Sequence, residues 1–287
     1  MSATQFPRTT VGGVSLPRLL IGSNWLLGYS HRTSSHDNMI KTRYAERDAF
    51  VEVLEAYLEY GVDAMMAPFA PDTPLYDAIQ CVQEKTGKQI ILVDTPPINV
   101  DDTAEGRAEA RKVIERSKKM GSTFCLPHHS SVEQLVNKNL SAIPRLPDYL
   151  DMIRQNDMIP GLSAHMPELI IYSDNNEYDV QTCVQIYNCM GFLMQVEIEY
   201  IHKVITNAKK PVMSIKSMAA GRVTPFVGIT FSFATLRECD MVTLGAHTPE
   251  EVHEDVEIAL AAIERRPPNI EGRSSPNKNA AALGGKK

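Results

Sequence analysis

The sequence has no long apolar run and no cysteine pair of the C-x-x-C type. No hydrophobic stretch approaches the roughly 18 residues needed to cross a bilayer, so we do not expect a membrane protein. The N-terminus lacks a basic segment followed by an apolar core, which predicts a cytoplasmic location. The five cysteines are odd in number and scattered, which argues against a disulfide framework or a zinc knot and favours buried thiols.

Outside the last residues, acidic side chains clearly outnumber basic ones. The net charge is −6, but residues 265–287 carry six basic side chains against the single acid Glu271, so this segment is +5 and the rest is −11. An acidic body is a poor partner for a phosphate backbone, and we expect neither a nucleic acid nor a membrane as partner. The proline, serine and glycine content of residues 264–287 predicts a disordered basic tail.

Short apolar runs alternate with helical segments through the rest of the chain. The runs begin near Leu19, Val62, Gln89, Thr123, Ile159, Cys183, Val212 and Met241. Their spacing of 24 to 43 residues suits strand-helix-strand crossovers rather than hairpins. Eight such units predict one α/β domain over residues 1–263, a (β/α)8 TIM barrel, with an open doubly wound sheet as the alternative.

Capping residues predict where three helices begin or end. An apolar face over residues 48–60 indicates a helix that stops at Gly61. Thr73 is a predicted N-cap, and Gly87 is the stop of the same helix. Thr248 followed by Glu251 three residues later forms a capping box at the start of the last helix.

Polar residues, together with Pro68 and Gly245, lie where the predicted strands end. They are Ser23, Asn24, Pro68, Asp94, His128, His129, Ser163, His165, Gln185, Asn188, Lys216, Gly245 and His247. The carboxyl ends of the strands form the active site in a (β/α)8 barrel, so this pattern predicts a site at the barrel mouth. No G-x-G-x-x-G, Walker A, G-x-S-x-G or H-E-x-x-H motif narrows the chemistry further.

Three of these residues suggest a metal. Asp94, His128 and His165 follow three successive strands, and a carboxylate with two imidazoles can hold Zn, Mn or Fe with positions left open for substrate. Strand alternation would send only one of His128 and His129 inward. The alternative is structural: Asp94 capping the next turn, and His165 as an ordinary partnered histidine.

Lys216 is the one lysine that terminates an apolar strand. Burial there would lower its pKa and prepare it as a proton shuttle or as the amine of a Schiff base. The alternative is an ion pair with an inward carboxylate such as Asp94. Lys216 and His128 are the candidate catalytic residues.

Residues 24–43 form a long first loop with no predicted regular structure, which is typical of a lid; a plain surface excursion is the alternative. The candidate substrate-binding residues are Asn24, Trp25, His31, Ser163, Gln185 and Asn188. After the eighth strand, free N–H groups at residues 245–249 indicate a generic anion site.

Taken in order, several segments resemble the aldo-keto reductase superfamily over residues 9 to about 263. TVGGVSLPRL (10–19) is similar to its opening hairpin and GLSAHMPE (161–168) to its fifth-strand signature. VQIYN (184–188), KSMAAG (216–221) and GAHTPEE (245–251) are similar to strands six, seven and eight.

The resemblance implies an NADPH-dependent carbonyl reductase that uses an aspartate, a tyrosine, a lysine and a histidine. In this sequence Met66 stands at the aspartate position, Pro71 near the tyrosine, and Asp94 or Thr95 at the lysine, so only His128 matches. Of the groups that the family uses to hold the nicotinamide, Ser163 and Gln185 match, and Ala164 replaces an asparagine.

The residues therefore predict a divergent barrel that has largely lost the reductase tetrad. We expect a non-redox isomerase or lyase acting on a small hydroxycarbonyl or sugar-like substrate, with a divalent metal polarising the carbonyl and Lys216 moving the proton. An NADPH-dependent oxidoreductase and a non-catalytic binding barrel are the alternatives. The expected partner is a small-molecule substrate, and a homo-oligomer is a further expectation.

Overall fold

The computed structural model describes residues 5–270, which form a barrel of parallel strands surrounded by helices. A two-stranded antiparallel hairpin comes first, β1 (Arg8–Val11) and β2 (Val14–Pro17). The barrel strands are β3 (Leu19–Gly22), β4 (Ala64–Ala67), β5 (Ile91–Asp94), β6 (Phe124–Cys125), β7 (Ile159–Pro160), β8 (Leu162–Ser163), β9 (Cys183–Ile186), β10 (Val212–Ile215) and β11 (Met241–Leu244).

The barrel closes through its fifth strand. The order of hydrogen-bonded neighbours is β7-β6-β5-β4-β3-β11-β10-β9-β8. β7 and β8 are two halves of one strand separated only by Gly161, so the two ends of this order are continuous in the chain. Each predicted apolar run therefore forms one barrel strand, and the predicted (β/α)8 fold is confirmed.

The helices alternate with the strands. They are α1 (Asn24–Leu27), α2 (Ser34–Arg43), α3 (Arg47–Glu59), α4 (Pro74–Thr86), α5 (Ala104–Lys119), α6 (His129–Val132), α7 (Leu146–Gln155), α8 (Glu168–Asn175), α9 (Ile198–Asn207), α10 (Pro225–Thr235) and α11 (Pro249–Glu264), with short 3-10 turns at Glu133–Leu135 and Ala219–Gly221. None of the helices in the described part of the chain is long and apolar enough to span a membrane.

The predicted caps are present. The Thr73 side chain accepts a hydrogen bond from the backbone N–H of Tyr76, and α4 ends at Gly87 in the left-handed region. At α11 the Thr248 side chain accepts from the N–H of Glu251. These contacts satisfy backbone groups that a helix end leaves free, which is why the capping residues locate the ends so well.

Strand alternation separates two apolar clusters. One fills the lumen of the barrel and includes Leu20, Met66, Phe124, Val184 and Met213. The other and larger cluster lies between the strands and the helices. Val11 and Leu16 of the hairpin join the lumen cluster, so the hairpin seals the amino-terminal end of the barrel and leaves the opposite end open.

Three sequence expectations need correction. Residues 24–43 are mostly helical, in α1 and α2, rather than a loop without regular structure. The start of the predicted tail is attached, because Arg266 pairs with Glu257 at 2.6 Å and Ile270 packs against the core; residues 271–287 lie outside the described residues. All five cysteines are free thiols, but only Cys125 and Cys183 are buried.

Candidate functional site

A cavity of about 580 Å³ opens at the carboxyl ends of the strands. Its floor is apolar, with Met66, Val184, Ile215 and Leu244. The polar lining comes from the ends of the strands and from the segments that follow them; it includes Ser23, Asn24, His31, Thr95, His128, His129, Ser130, Ser163, His165, Lys216, Ser217 and Thr243. A cavity of this size suits a small molecule, and it lies at the end of the barrel where (β/α)8 proteins carry their active sites.

Lys216 directly follows β10 and extends its side chain into this cavity. Burial lowers the pKa of its amine to about 8. None of the described residues that line the cavity is an aspartate or a glutamate, so no carboxylate stabilises the charged form there. At pH 7 roughly one amine in ten is then neutral and nucleophilic.

The backbone of Lys216 has a φ of 62°, in the left-handed region that non-glycine residues seldom adopt. Ala219 and Ala220 share this conformation, with φ values of 49° and 57°. Such strain persists only where surrounding contacts impose it, and it concentrates at functional sites. The turn places the lysine side chain over the lumen directly after the strand ends.

His31 contacts the amine of Lys216. Its Nε2 lies 3.3 Å from Nζ of Lys216 and 3.4 Å from Nδ2 of Asn24. Burial, followed by the charge of Lys216, lowers the pKa of this imidazole. The predicted substrate-binding residues Asn24 and His31 therefore lie beside the predicted catalytic lysine.

Three more imidazoles line the cavity after β6 and β8. The rings of His128 and His129 are 4.1 Å apart, and those of His129 and His165 are stacked at 3.8 Å. The expectation that only one of His128 and His129 faces inward is wrong, because His129 begins α6 and strand alternation no longer applies to it. His129 is thus a cavity residue that the sequence argument set aside.

These imidazoles are neutral at physiological pH. Burial, with the charges of neighbouring histidines and of Lys216, lowers the pKa of His128 to about 4 and that of His165 to about 3. The pKa of His129 is also lowered by burial, while Glu133, 3.8 Å from its Nδ1, opposes the shift. Since Lys216 acts on all three, the lysine and the histidines share one electrostatic environment.

Glu133 supports two of the cavity histidines from outside the lining, and the sequence did not single it out. One of its oxygens accepts hydrogen bonds from the backbone N–H groups of His165 and Met166, at 2.6 and 2.9 Å. Its position in a 3-10 turn after α6 gave no recognisable signal. The spacing of four residues from His129 was the one available clue.

The predicted metal set is not assembled. Asp94 is fully buried and faces the helix layer, where its carboxylate accepts from Oγ of Ser117 at 2.5 Å and from the N–H of Phe69 at 3.1 Å. The carboxylate of Asp94 contacts none of His128, His165 and Lys216, so the alternative of an ion pair between Asp94 and Lys216 is also wrong. Among residues 5–270, no group of three or more His, Cys, Asp and Glu side chains is arranged to hold a metal ion.

Two predicted substrate-binding residues have structural roles instead. Gln185 alternates with the inward Val184, so its side chain lies outside the lumen and donates to the carbonyl of His165 at 3.2 Å. Asn188 folds its own loop, since its side chain donates to the carbonyl of Phe192 and accepts from the N–H groups of Met190 and Phe192. Ser163 does line the cavity.

The predicted anion site after the eighth strand is already occupied by the chain itself. The N–H of His247 donates to the carboxylate of Glu251 at 2.7 Å, and the N–H of Glu251 donates to Thr248. Glu250 adds a second negative charge in the first turn of α11. An incoming phosphate would meet capped donors and two carboxylates, which disfavours it.

Trp25 is held between neighbouring loops at the rim. Its ring lies 4.5 Å from that of His247 and 5.1 Å from that of His36. A Cβ atom on Gly221 would come within 3.2 Å of the Trp25 ring, so this glycine gives the indole its space. Trp25 therefore lines the cavity as predicted, but as a packed side chain on a short helix.

Two hydroxyl groups in the cavity have no partner within the described chain. They are Oγ of Ser217, a residue only 1% exposed, and Oγ1 of Thr243. A buried hydroxyl without a hydrogen bond is costly, so such groups are suited to a polar ligand.

The fold is shared with known barrels at low sequence identity. A provisionally assigned aldo-keto reductase from Pseudomonas aeruginosa matches with a TM-score of 0.64 at 14% identity, over 92% of this chain and 98% of that one. A chain of the Amycolatopsis orientalis BexX/CysO complex matches with a TM-score of 0.55 at 12% identity, over 94% and 100%.

An aldose reductase from Giardia lamblia matches with a TM-score of 0.53 at 10% identity, over 99% of this chain and 95% of that one. No protein-family model matches the sequence, and no curated protein matches it. The chain therefore has an aldo-keto-reductase-like (β/α)8 barrel, as the resemblance implied.

The residues fit a nicotinamide cofactor poorly. Of the two matching polar groups, Ser163 lines the cavity but Gln185 points to the helix layer. After β11, the backbone N–H of His247 is capped by Glu251. Of the four tetrad positions, only His128 keeps the expected residue type; the tyrosine and lysine of the lining, Tyr29 and Lys216, come from other positions, after β3 and β10.

Proposed function

We propose that the protein is a non-redox enzyme, an isomerase or a lyase, which acts on a small hydroxycarbonyl compound through an imine formed with Lys216. The observation that carries the proposal is the lysine itself: an amine with a pKa of about 8 in a cavity among neutral imidazoles. A neutral amine attacks carbonyl carbons, and the iminium that results withdraws electrons from the neighbouring carbon.

The lining supports the substrate class. The free hydroxyls of Ser217 and Thr243 suit hydroxyl or carbonyl groups, and the floor around Met66 and Ile215 suits a short carbon skeleton. The positive charge of Lys216 and the absence of carboxylates from the described lining disfavour a cationic substrate. Because Glu251 caps the N–H of His247 and Glu250 adds a second negative charge beside it, we expect substrates without a phosphate group.

Isomerisation and carbon–carbon cleavage share their first half. The iminium makes the adjacent C–H or C–C bond easier to break, since the released electron pair moves into a new C=C bond and on to the imine nitrogen. Three neutral imidazoles in the same lining, His128, His129 and His165, can hold or move protons. Nothing is oxidised or reduced, and hydrolysis of the imine returns the free amine.

The proposal is tested by trapping. The full-length protein is incubated with hydroxyacetone, dihydroxyacetone or dihydroxyacetone phosphate, then reduced with borohydride and digested for mass spectrometry. We expect a reduced adduct on Lys216 with the first two compounds and much less with the phosphate. Labelling spread evenly over surface lysines, or equal in the Lys216→Met variant, would overturn the proposal.

An NADPH-dependent reductase is the second candidate, favoured by the fold shared with the Pseudomonas and Giardia proteins and by Ser163 in the lining. Its test is a titration of the purified protein with NADPH, followed by fluorescence. Saturable binding with turnover of a carbonyl compound would support it, and no binding at millimolar NADPH would remove it.

A further inference from the structure

We propose that His31 carries the proton for Lys216: it takes a proton from the amine and delivers it to the hydroxyl group that leaves when the imine forms. This inference rests on the proposed function, because it assigns a further catalytic residue to the same reaction. The structure assigns this role to His31 through contact, hydrogen-bond direction, access to water and a backbone anchor.

The contact has a defined direction. Nε2 of His31 faces Nζ of Lys216 at 3.3 Å and Nδ2 of Asn24 at 3.4 Å. Nδ2 of Asn24 and the ammonium form of Lys216 can only donate, so while Lys216 is protonated Nε2 is the acceptor and Nδ1 carries the ring hydrogen. The lone pair of the imidazole therefore points at the nitrogen that must lose protons before and after it attacks a carbonyl.

The charges around His31 suit a carrier rather than a fixed ion. Burial and the cations Lys216 and Arg222 lower the pKa of His31, and the carboxylate of Asp37 opposes them. The ring is therefore neutral at pH 7 and ready to accept a proton. His31 is also exposed to solvent, while Lys216 is half-buried, so the imidazole connects the amine to water.

The backbone of His31 is anchored independently of its ring. Nη2 of Arg222 donates to the carbonyl of His31 at 3.1 Å, and Nη1 donates to the carbonyl of Ala219 at 3.2 Å. The guanidinium lies 4.0 Å from the ring centroid of Phe192. Arg222 thus joins the loops after β3, β9 and β10 and is a positioning residue for the pair.

The step balances without a redox partner. The nitrogen lone pair of Lys216 forms a bond to the carbonyl carbon, and the C=O pair moves to oxygen. One nitrogen proton passes through His31 to that oxygen. This gives the neutral carbinolamine. His31 then takes a second proton from water and delivers it to the hydroxyl group, so that the C–O bond breaks, its electron pair leaves with a water molecule, and the nitrogen lone pair forms the C=N bond of the iminium.

The test compares two reactions of the same amine. The rate of imine formation with hydroxyacetone is measured by trapping the imine with cyanoborohydride. The reductant concentration is high enough that the trapping rate no longer depends on it. Acetylation of Lys216 by acetic anhydride needs a neutral amine but no departing hydroxyl group. Both rates are read at Lys216 by peptide mass spectrometry.

The main variant is His31→Asn, because asparagine tolerates the φ of 56° found at this position. We expect imine formation to fall about 100-fold, the usual contribution of a general acid, while acetylation is nearly unchanged. His253→Gln, which alters an imidazole bonded to Tyr60 far from the cavity lining, is the matched control and should change neither rate.

A second variant, Arg222→Lys, keeps His31 but removes the pair of hydrogen bonds that Arg222 donates to the carbonyls of His31 and Ala219. It should slow imine formation more than acetylation. Equal changes in both rates, or no change in imine formation in His31→Asn, would overturn the role of His31. If the unmodified protein forms no imine at Lys216, the proposed function itself fails, so the two failures are distinguishable.

Discussion

At the scale of single residues, the site depends on how Lys216 is placed. The lysine was recognised from the sequence because it ends an apolar strand, and the structure puts its amine in the cavity with a pKa near 8. Asp94 also ends a strand, yet it faces the helices and pairs with Ser117. The sequence shows that a residue lies at the end of a strand, whereas the face of the strand on which its side chain lies depends on the strand register.

Replacing Lys216 with methionine should abolish imine trapping without lowering stability. The pKa of this amine falls from 10.5 to about 8 on folding, so the unfolded chain binds more protons between these values. The lysine therefore destabilises the fold below pH 8, and this penalty disappears as the pH rises towards 10.5. Thermal unfolding at pH 7 should show Lys216→Met at least as stable as the parent.

A lower melting temperature for Lys216→Met at pH 7 would show that the lysine has a stabilising partner. Lys85, which pairs with Glu55 on the surface at 2.6 Å, provides a control, and Lys85→Met should leave imine trapping intact.

At the scale of elements, the fifth barrel strand depends on Gly161. A Cβ atom there would lie 2.7 Å from the carbonyl oxygen of Thr182 and 2.8 Å from Cγ of Leu126. The glycine allows β7 and β8 to bend between neighbours on both sides, which closes the barrel. The sequence marked this glycine only through the resemblance of residues 161–168 to a strand signature.

Gly161→Ala should therefore destabilise the barrel by about 1–3 kcal/mol, the usual cost of forcing an extra carbon into a packed site. Urea unfolding followed by circular dichroism measures the change. A loss near zero would mean that the strand relaxes around the methyl group and that Gly161 does not control closure.

Helix α11 contains a buried acid, Asp255, which is 3% exposed. Burial, with a smaller contribution from Glu251, raises its pKa from 3.8 to about 8. The folded state then holds one more proton than the unfolded state between these values, so Asp255 costs stability increasingly as the pH rises from about 4 to 8.

Asp255→Asn should remove this dependence. The variant and the parent should have similar melting temperatures at pH 4, and the variant should be the more stable by a growing margin up to pH 8. Comparing the two at each pH cancels the titration of the histidines. A difference that shrinks as the pH rises would contradict the neutral form of Asp255.

At the scale of the whole molecule, the order of strands and helices was predictable because it depends on local patterns. Apolar runs, Thr73 and Thr248 as N-caps and Gly87 as a stop each express short-range chemistry, and all are confirmed. The resemblance to aldo-keto reductases also predicted the shared barrel.

The site was less predictable because its geometry depends on tertiary packing. The separation of Asp94 from the histidines, the outward face of Gln185 and the capping of His247 by Glu251 arise from strand register and loop contacts. His129 faces the cavity because it begins helix α6, where strand alternation does not apply, and Glu133 contacts it from the turn that follows α6.

The central claim is that the barrel mouth holds one desolvated amine, at Lys216. Titration of the full-length protein, labelled with ¹³C at the ε carbon of lysine and followed by NMR, tests it most directly. One resonance should titrate near pH 8, against the ordinary value of 10.5, and should be missing from the Lys216→Met spectrum. If every lysine resonance titrates above pH 10, the amine is not desolvated and the account is wrong.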